Sequence, residues 1–196
     1  MYLYGASGHA KVIIEILEAC GVEVDGLFDD NEALSELQGY PVSRYDAACE
    51  AEKIVSIGNN IVRKAIAERI GGRFGIAVHP SAILSPRAKI GDGTVVMHGA
   101  IVQADVQIGK HAIVNTGATI DHECVIGDYA HISPNATLCC NVVVGEGTQI
   151  GAGAVVVPGV RIGKWSLICA GSVVTKDIPD NCIASGNRCE VVKYIK

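Results

Sequence analysis

Stepping along the chain six residues at a time from Val78 meets an aliphatic side chain at every stop: Val78, Leu84, Ile90, Val96, Val102, Ile108, Val114, Ile120, Ile126, Ile132, Leu138, Val144, Ile150, Val156, Ile162, Ile168 and Val174. Four residues beyond each stop the side chain is mostly small, as at Ala82, Ala100, Ala118, Cys124, Ala136 and Ser166. A period of six fits neither a 3.6-residue helix nor the two-residue alternation of a simple strand. It fits a three-sided solenoid in which each hexapeptide makes one short strand and one corner. Gly91, Gly109, Gly127, Gly145, Gly151 and Gly163 directly follow the inward aliphatic residue, where the backbone is crowded. Residues 77–178 thus predict seventeen hexapeptides. They make about 5.7 coils in a prism roughly 27 Å long, from the spacing of paired strands.

The pattern before Val78 differs. Tyr2 to Tyr4 reads as a strand, and Ala10 to Cys20 as an amphipathic helix with Val12, Ile13, Ile16 and Leu17 on one face, ended by Gly21. Val22 to Phe28 and Ile54 to Ile57 predict two more strands, and a helix from Ile61 to Ile70 stops at Gly71-Gly72. The first strand-to-helix turn is Gly5-Ala6-Ser7-Gly8-His9-Ala10, and Asp29-Asp30 follow at a strand end. Free N–H groups at a helix start, with acids after the next strand, are the layout of a nucleotide site, although the full G-x-G-x-x-G spacing is absent.

Composition narrows the picture. The chain is 49% hydrophobic but only 5% aromatic, with 23 Gly, so aliphatic and small side chains fill its core around many tight turns. A net charge of −5 without any Lys/Arg run leaves no footprint for nucleic acid or an anionic bilayer. No apolar stretch approaches the roughly 18 residues of a spanning helix. The start, Met1-Tyr2-Leu3-Tyr4-Gly5, has neither a charged n-region nor a long h-region. The expectation is a cytoplasmic protein without membrane insertion. Eight cysteines contain no C-x-x-C pair, so no metal is expected and the thiols read as small apolar residues.

The hexapeptide run resembles the hexapeptide-repeat transferase superfamily, and that resemblance implies the left-handed sense of the coil. The Gly-Ala-Ser-Gly-His turn, the acidic pair, Ile57-Gly58-Asn59-Asn60 and His79-Pro80-Ser81-Ala82 extend the likeness over nearly the whole chain. It is then a resemblance to bacterial sugar acyltransferases that N-acetylate UDP-4-amino sugars in the bacillosamine pathway, and to sialic-acid O-acetyltransferases. The implied fold is a left-handed parallel β-helix at 77–178, preceded by a small α/β Rossmann-like domain at 1–76 and followed by a tail at 179–196. The resemblance implies that Ser7, Gly8 and His9 contact the phosphates of a nucleotide-linked sugar, that Asp29 and Asp30 contact its uridine, and that Gly58 and Asn59 border the same pocket. The family often has Gly where this chain has Ala10.

Acetyl transfer from a thioester needs a base, donors for the tetrahedral oxyanion and a groove for the pantetheine arm. Neutral histidine is the natural base near pH 7. Of six histidines, His122 alone is flanked by two acids, in Asp121-His122-Glu123, while His9, His79, His98 and His111 have no adjacent carboxylate. The stretch from His122 to His131 resembles the family's catalytic segment. It implies His122 as base, Glu123 as its support and His131 as an acetyl-CoA contact. By the same likeness Ala152 and Ala170 line the CoA groove, and the Cys140 backbone N–H is an oxyanion donor. Nine residues are half a coil, so His122 and His131 fall on opposite sides of one prism. They converge only between neighbouring prisms, and the resemblance implies a homotrimer with its sites at the interfaces. Cys124, at a small inward position, is expected to be buried, which favours direct transfer over an acyl-enzyme.

The departure at Gly186-Asn187-Arg188-Cys189 from the family's G-x-P-A ending leaves the cap over the CoA tail open. O-acetylation of a sugar hydroxyl, such as that of sialic acid, is the close alternative. A zinc site of the carbonic-anhydrase type would draw on His111, His122 and His131, but its H-x-x-x-x-H pair is absent. A non-catalytic scaffold is disfavoured by the acid-flanked His122.

Overall fold

The computed structural model describes residues 1–195. Strand β1 (Tyr2–Tyr4) lies between β2 (Gly26–Phe28) and β5 (Lys53–Val55), parallel to both. Both faces of these strands are covered, which explains their apolar runs. The sheet continues with β4 (Tyr40–Ser43), parallel to β2, and ends on β3 (Glu36–Leu37), antiparallel to β4. This hairpin was not among the expected elements. Its signal is Gln38-Gly39, both in the left-handed region at φ 50° and 84°, as a two-residue hairpin turn requires.

Two expected boundaries shift. Helix α1 (Gly8–Ala19) starts two residues earlier than Ala10, because the Ala6 N–H is held by Asp29 Oδ2 at 2.7 Å and the turn is correspondingly short. Val22 to Asp25 is not strand, and pairing begins only at Gly26, whose φ of 155° brings the chain into register with Tyr2. Helix α2 (Asn60–Ile70) is capped by Asn59, whose side chain accepts from the Val62 N–H at 3.0 Å.

Beyond this unit, seventeen two-residue strands run from β6 (Ala77–Val78) to β22 (Val173–Val174) and form a left-handed parallel β-helix. Each residue pairs with the one 18 positions on, as in Ile113 with His131, His131 with Gln149 and Gln149 with Leu167. The first face of the prism carries these strands, the second carries Thr119 and Thr137, and the third carries Val125 and Val143. The second residue of each strand points inward. Val96, Ile132, Leu138 and Ile150 are fully buried, with Ala100, Ala118, Cys124 and Ala136 in the narrow corners between them. At the corner between third and first faces, a Cβ on Gly127 or Gly145 would lie 2.6 Å from backbone of the next coil. The glycine column there is therefore required by close stacking rather than by turn conformation.

The end of the prism is closed by chain that follows the repeats. Strand β23 (Cys182–Ser185) pairs with Leu167–Ile168 and β24 (Glu190–Tyr194) folds back on it. Between them, the Gly186 carbonyl accepts from the Val173 N–H at 3.0 Å, and the Cys189 N–H donates to the Val173 carbonyl at 2.9 Å. Ile178, Cys182, Ala184 and Cys189 seal the core. The segment expected as a tail is thus the last rung.

The α/β unit is bolted to the prism along the first face and its edge. Outward positions that would be polar on a free face are Ala77, Val95 and Ile113, at most 2% exposed beneath Ile13, Ile16 and Leu17 of α1. At the edge, buried Arg63 of α2 donates to the carbonyls of His111 and Tyr129, both at 2.8 Å, and to those of Ile57 and Gly58. Asn60 donates to the Gly147 carbonyl at 3.0 Å. His111, Tyr129 and Gly147 are one coil apart, so α2 is pinned across three successive coils.

Candidate active site

The corner between second and third faces presents His122 outward. Its Nδ1 lies 3.1 Å from Glu123 Oε2, and Asp121 Oδ1 accepts from the His122 backbone N–H at 2.8 Å. Of the two flanking acids, Glu123 therefore meets the ring. Glu123 sits at φ 61°, a left-handed corner position that suits Asn or Asp better. Asp105, Asn141 and Gly159 take the same conformation at this corner in neighbouring coils, so it belongs to the corner turn. With Nδ1 donating to the carboxylate, Nε2 is left with its lone pair facing solvent. One coil above, Cys140 occupies the same corner, and the Asn141 N–H donates to the His122 carbonyl at 3.1 Å. Among the described residues the Cys140 N–H donates to no protein acceptor. Cys124 is fully buried, and burial pushes its thiol up to about 11, which removes it as a nucleophile.

His131 stands on the first face, across the prism from His122, and is 9% exposed. The Asn115 amide has its Oδ1 fixed by the Thr116 N–H at 2.8 Å, so its Nδ2 faces His131 Nε2 at 3.0 Å. That assigns the proton to Nδ1, which like His9 Nε2 is buried without a well-formed hydrogen bond among the described residues, although the Gly58 backbone lies beside the His131 ring. His131 is held down at about 3 and His9 and His111 at about 4, first by burial and then by the charge of Arg63. All three rings are neutral at working pH. The same shifts set an acid limit on stability. Above pH 6.5 neither folded nor unfolded chain protonates them; below it the unfolded chain gains protons that the fold rejects. Stability should fall between about pH 6 and pH 4, at about 1.4 kcal/mol per pH unit per ring and about 4 for three. Urea midpoints measured at pH 7, 6 and 5 check this, and equal midpoints would count against buried neutral rings.

At the start of α1, Ser7 and Gly8 are exposed and the first-turn N–H groups point away from the helix without intrahelical partners. Asp29 braces this turn, with one oxygen on the Ala6 N–H and the other on the Asn31 N–H. Asp30 accepts from the Tyr4 hydroxyl at 2.6 Å and pairs with Arg69 at 2.9 Å. The two acids are therefore engaged by protein groups around this turn. Gly58 is tied to Arg63 and borders His131, whereas the Asn59 side chain caps α2. Asn59 lines a separate cavity of about 640 Å³ along the first face with Lys64, Gln149, Trp165, Leu167 and Asn181. Ala152 and Ala170, 18 residues apart, are exposed at the first-to-second corner, bordering that face and apart from the His122 corner. Arg63, Asn115 and the cavity were missed from sequence; no short motif marks them. Among the described residues, no helix is long and apolar enough to cross a membrane.

A triangular prism joined to a nucleotide-type α/β unit, with an imidazole–carboxylate pair at one corner, defines a hexapeptide-repeat acyltransferase architecture. Residues 1–70 match the PglD N-terminal domain, and residues 87–122 and 141–176 match the bacterial transferase hexapeptide of six repeats. PerB from Caulobacter crescentus, solved with CoA and GDP-perosamine, is 38% identical with a TM-score of 0.92, over 97% of this chain and 95% of that one. The acetyltransferase domain of PglB from Neisseria gonorrhoeae FA1090, solved with acetyl coenzyme A, is 35% identical with a TM-score of 0.91, over 97% and 98%. The UDP-N-acetylbacillosamine N-acetyltransferase of Bacillus subtilis (strain 168) is 42% identical over 110 residues, 48% of this chain and 50% of that protein. The present chain thus spans about half the length of that curated relative. It belongs to the family of acetyl-CoA-dependent sugar N-acetyltransferases of the bacillosamine and perosamine type.

Proposed function

We propose that this chain transfers acetyl from acetyl-CoA to the amine of a nucleotide-linked 4-amino sugar, by direct attack with His122 as general base. The observation that carries this reading is the His122–Glu123 pair at an open corner of the prism. The carboxylate fixes the ring and favours the imidazolium that forms when Nε2 takes the amine proton. In this reading the Cys140 N–H, which among the described residues donates to no protein acceptor, receives the oxyanion.

The acceptor's phosphates sit on the N–H groups of Ser7, Gly8 and His9 at the start of α1, with Asp29 and Asp30 reading the base and Gly58 closing the pocket. The donor lies along the first face of a neighbouring prism. There Ala152 and Ala170 leave room for the arm, and His131 contacts the bound acetyl-CoA. Since His122 and His131 stand on opposite sides of one prism, this reading requires a homotrimer whose interfaces bring the two together. The working compartment is the cytoplasm, where acetyl-CoA and nucleotide sugars occur. A UDP sugar is the first choice by likeness to the Bacillus relative, while the likeness to PerB, solved with GDP-perosamine, makes a GDP sugar the second.

The test is acetyl-CoA consumption with panels of UDP-, GDP-, dTDP- and CMP-linked sugars bearing either a free amine or only hydroxyls. Turnover confined to one amino sugar is expected. Turnover on hydroxyl sugars alone would move the assignment to O-acetylation.

A further inference from the structure

The corner that carries His122 also carries a thiol. Cys140 follows His122 by one 18-residue coil, and one ligand atom from each of Asp121, His122 and Cys140 lies within 4.8 Å of the other two. Tetrahedral zinc, with bonds of about 2.0–2.3 Å, spaces its ligand atoms about 3.4–3.7 Å apart, so closing this set takes movements of about an ångström. Side-chain rotation supplies that without moving the backbone. An imidazole nitrogen, a thiolate and one carboxylate suit zinc or cobalt rather than Mg²⁺ or Ca²⁺. None of the three residues is buried, so an ion in solution reaches them.

The surroundings hold the set in place. The Asn141 N–H to His122 carbonyl bond locks the two coils together, and the Asp121 contact to the His122 N–H leaves its second oxygen free. Glu123, 3.1 Å from Nδ1, orients the ring, as a second partner does for a metal-bound histidine.

We propose that Asp121, His122 and Cys140 form a site for a zinc-type divalent ion, with water as fourth ligand, whose occupancy reversibly inhibits acetyl transfer. The inhibition half rests on His122 being the base: one imidazole lone pair cannot bind a metal and accept the amine proton together. The Cys140 thiol releases its proton to solvent as the metal–sulfur bond forms, and no group changes oxidation state.

Titrating reduced, EDTA-treated full-length protein with Co²⁺ should produce thiolate-to-cobalt absorption saturating at one ion per chain and displaced by Zn²⁺. The band should vanish in Cys140→Ser. No band in the wild type, or an undiminished one in Cys140→Ser, overturns the site. Should Cys140→Ser not fold, Asp121→Asn is expected to weaken Co²⁺ binding at least about tenfold, and unchanged affinity overturns the site equally. Initial rates, read before free CoA accumulates, should fall at least about tenfold with saturating Zn²⁺ and recover with EDTA, while Mg²⁺ does nothing. Ion binding at this corner without loss of rate overturns the inhibition. Metal-free His122→Ala with near-normal turnover would remove the base reading alone, leaving the Co²⁺ titration as the measure of the site.

Discussion

Truncation of His122 to alanine is expected to lower kcat for acetyl transfer by about 10²- to 10⁴-fold, the usual share of a positioned general base. The side chain is 49% exposed at a corner, and its only side-chain partner among the described residues is Glu123, so no core packing is lost. The denaturation midpoint and the assembly state should therefore match those of the wild type. Glu123→Gln keeps the shape of the partner but removes its charge, and a smaller loss of kcat is expected with KM for the sugar little changed. Steady-state rates of the two variants check this, and near-normal turnover in His122→Ala would end its candidacy.

The second large effect is structural. Arg63→Ala should destabilise the chain by about 3–5 kcal/mol, because a large buried side chain is removed and the groups it bonds are left without their donor. Four carbonyls, of Ile57, Gly58, His111 and Tyr129, lose a donor, and each buried orphan costs about 1–3 kcal/mol without simple additivity. Lysine cannot replace the planar fork that serves them together. Loss of this charge should also raise the pH at which His9, His111 and His131 protonate, since Arg63 is the second cause of their depression. The acid-induced loss of stability should then be shallower than in the wild type. Urea midpoints of both proteins at pH 7 and pH 5 test both halves; a wild-type midpoint in Arg63→Ala would refute the clamp.

Much of this molecule was legible before any coordinates. A strict six-residue step is a property of backbone stacking, so each of the seventeen strands from Ala77 to Val174 lies where the pattern places it. The pairing of His122 with Glu123 was readable for the same reason, since neighbours at a corner are neighbours in sequence. What escaped depends on contacts between distant segments. The Gln38-Gly39 hairpin was overlooked although its turn residues announce it. Val22 to Asp25 has strand-like residues but no partner strand beside it. Arg63 and Asn60 look like ordinary residues of a surface helix, and only docking against the corner at His111, Tyr129 and Gly147 buries them. The apolar outward residues Val95 and Ile113 were the one available hint that a face is covered. The convergence of Asp121, His122 and Cys140 follows from the 18-residue coil once the spacing is taken as vertical distance.

The clamp of α2 across three coils turns the prism into a ruler. Arg63 and Asn60 fix the pocket proposed for the acceptor to particular rungs, and rungs are separated by about 4.8 Å. Distance from that pocket to any side chain higher on the column can change only in whole steps, through gain or loss of eighteen residues. Adaptation to longer or shorter substrates is thus denied fine adjustment along the axis and must come from what projects sideways at the corners.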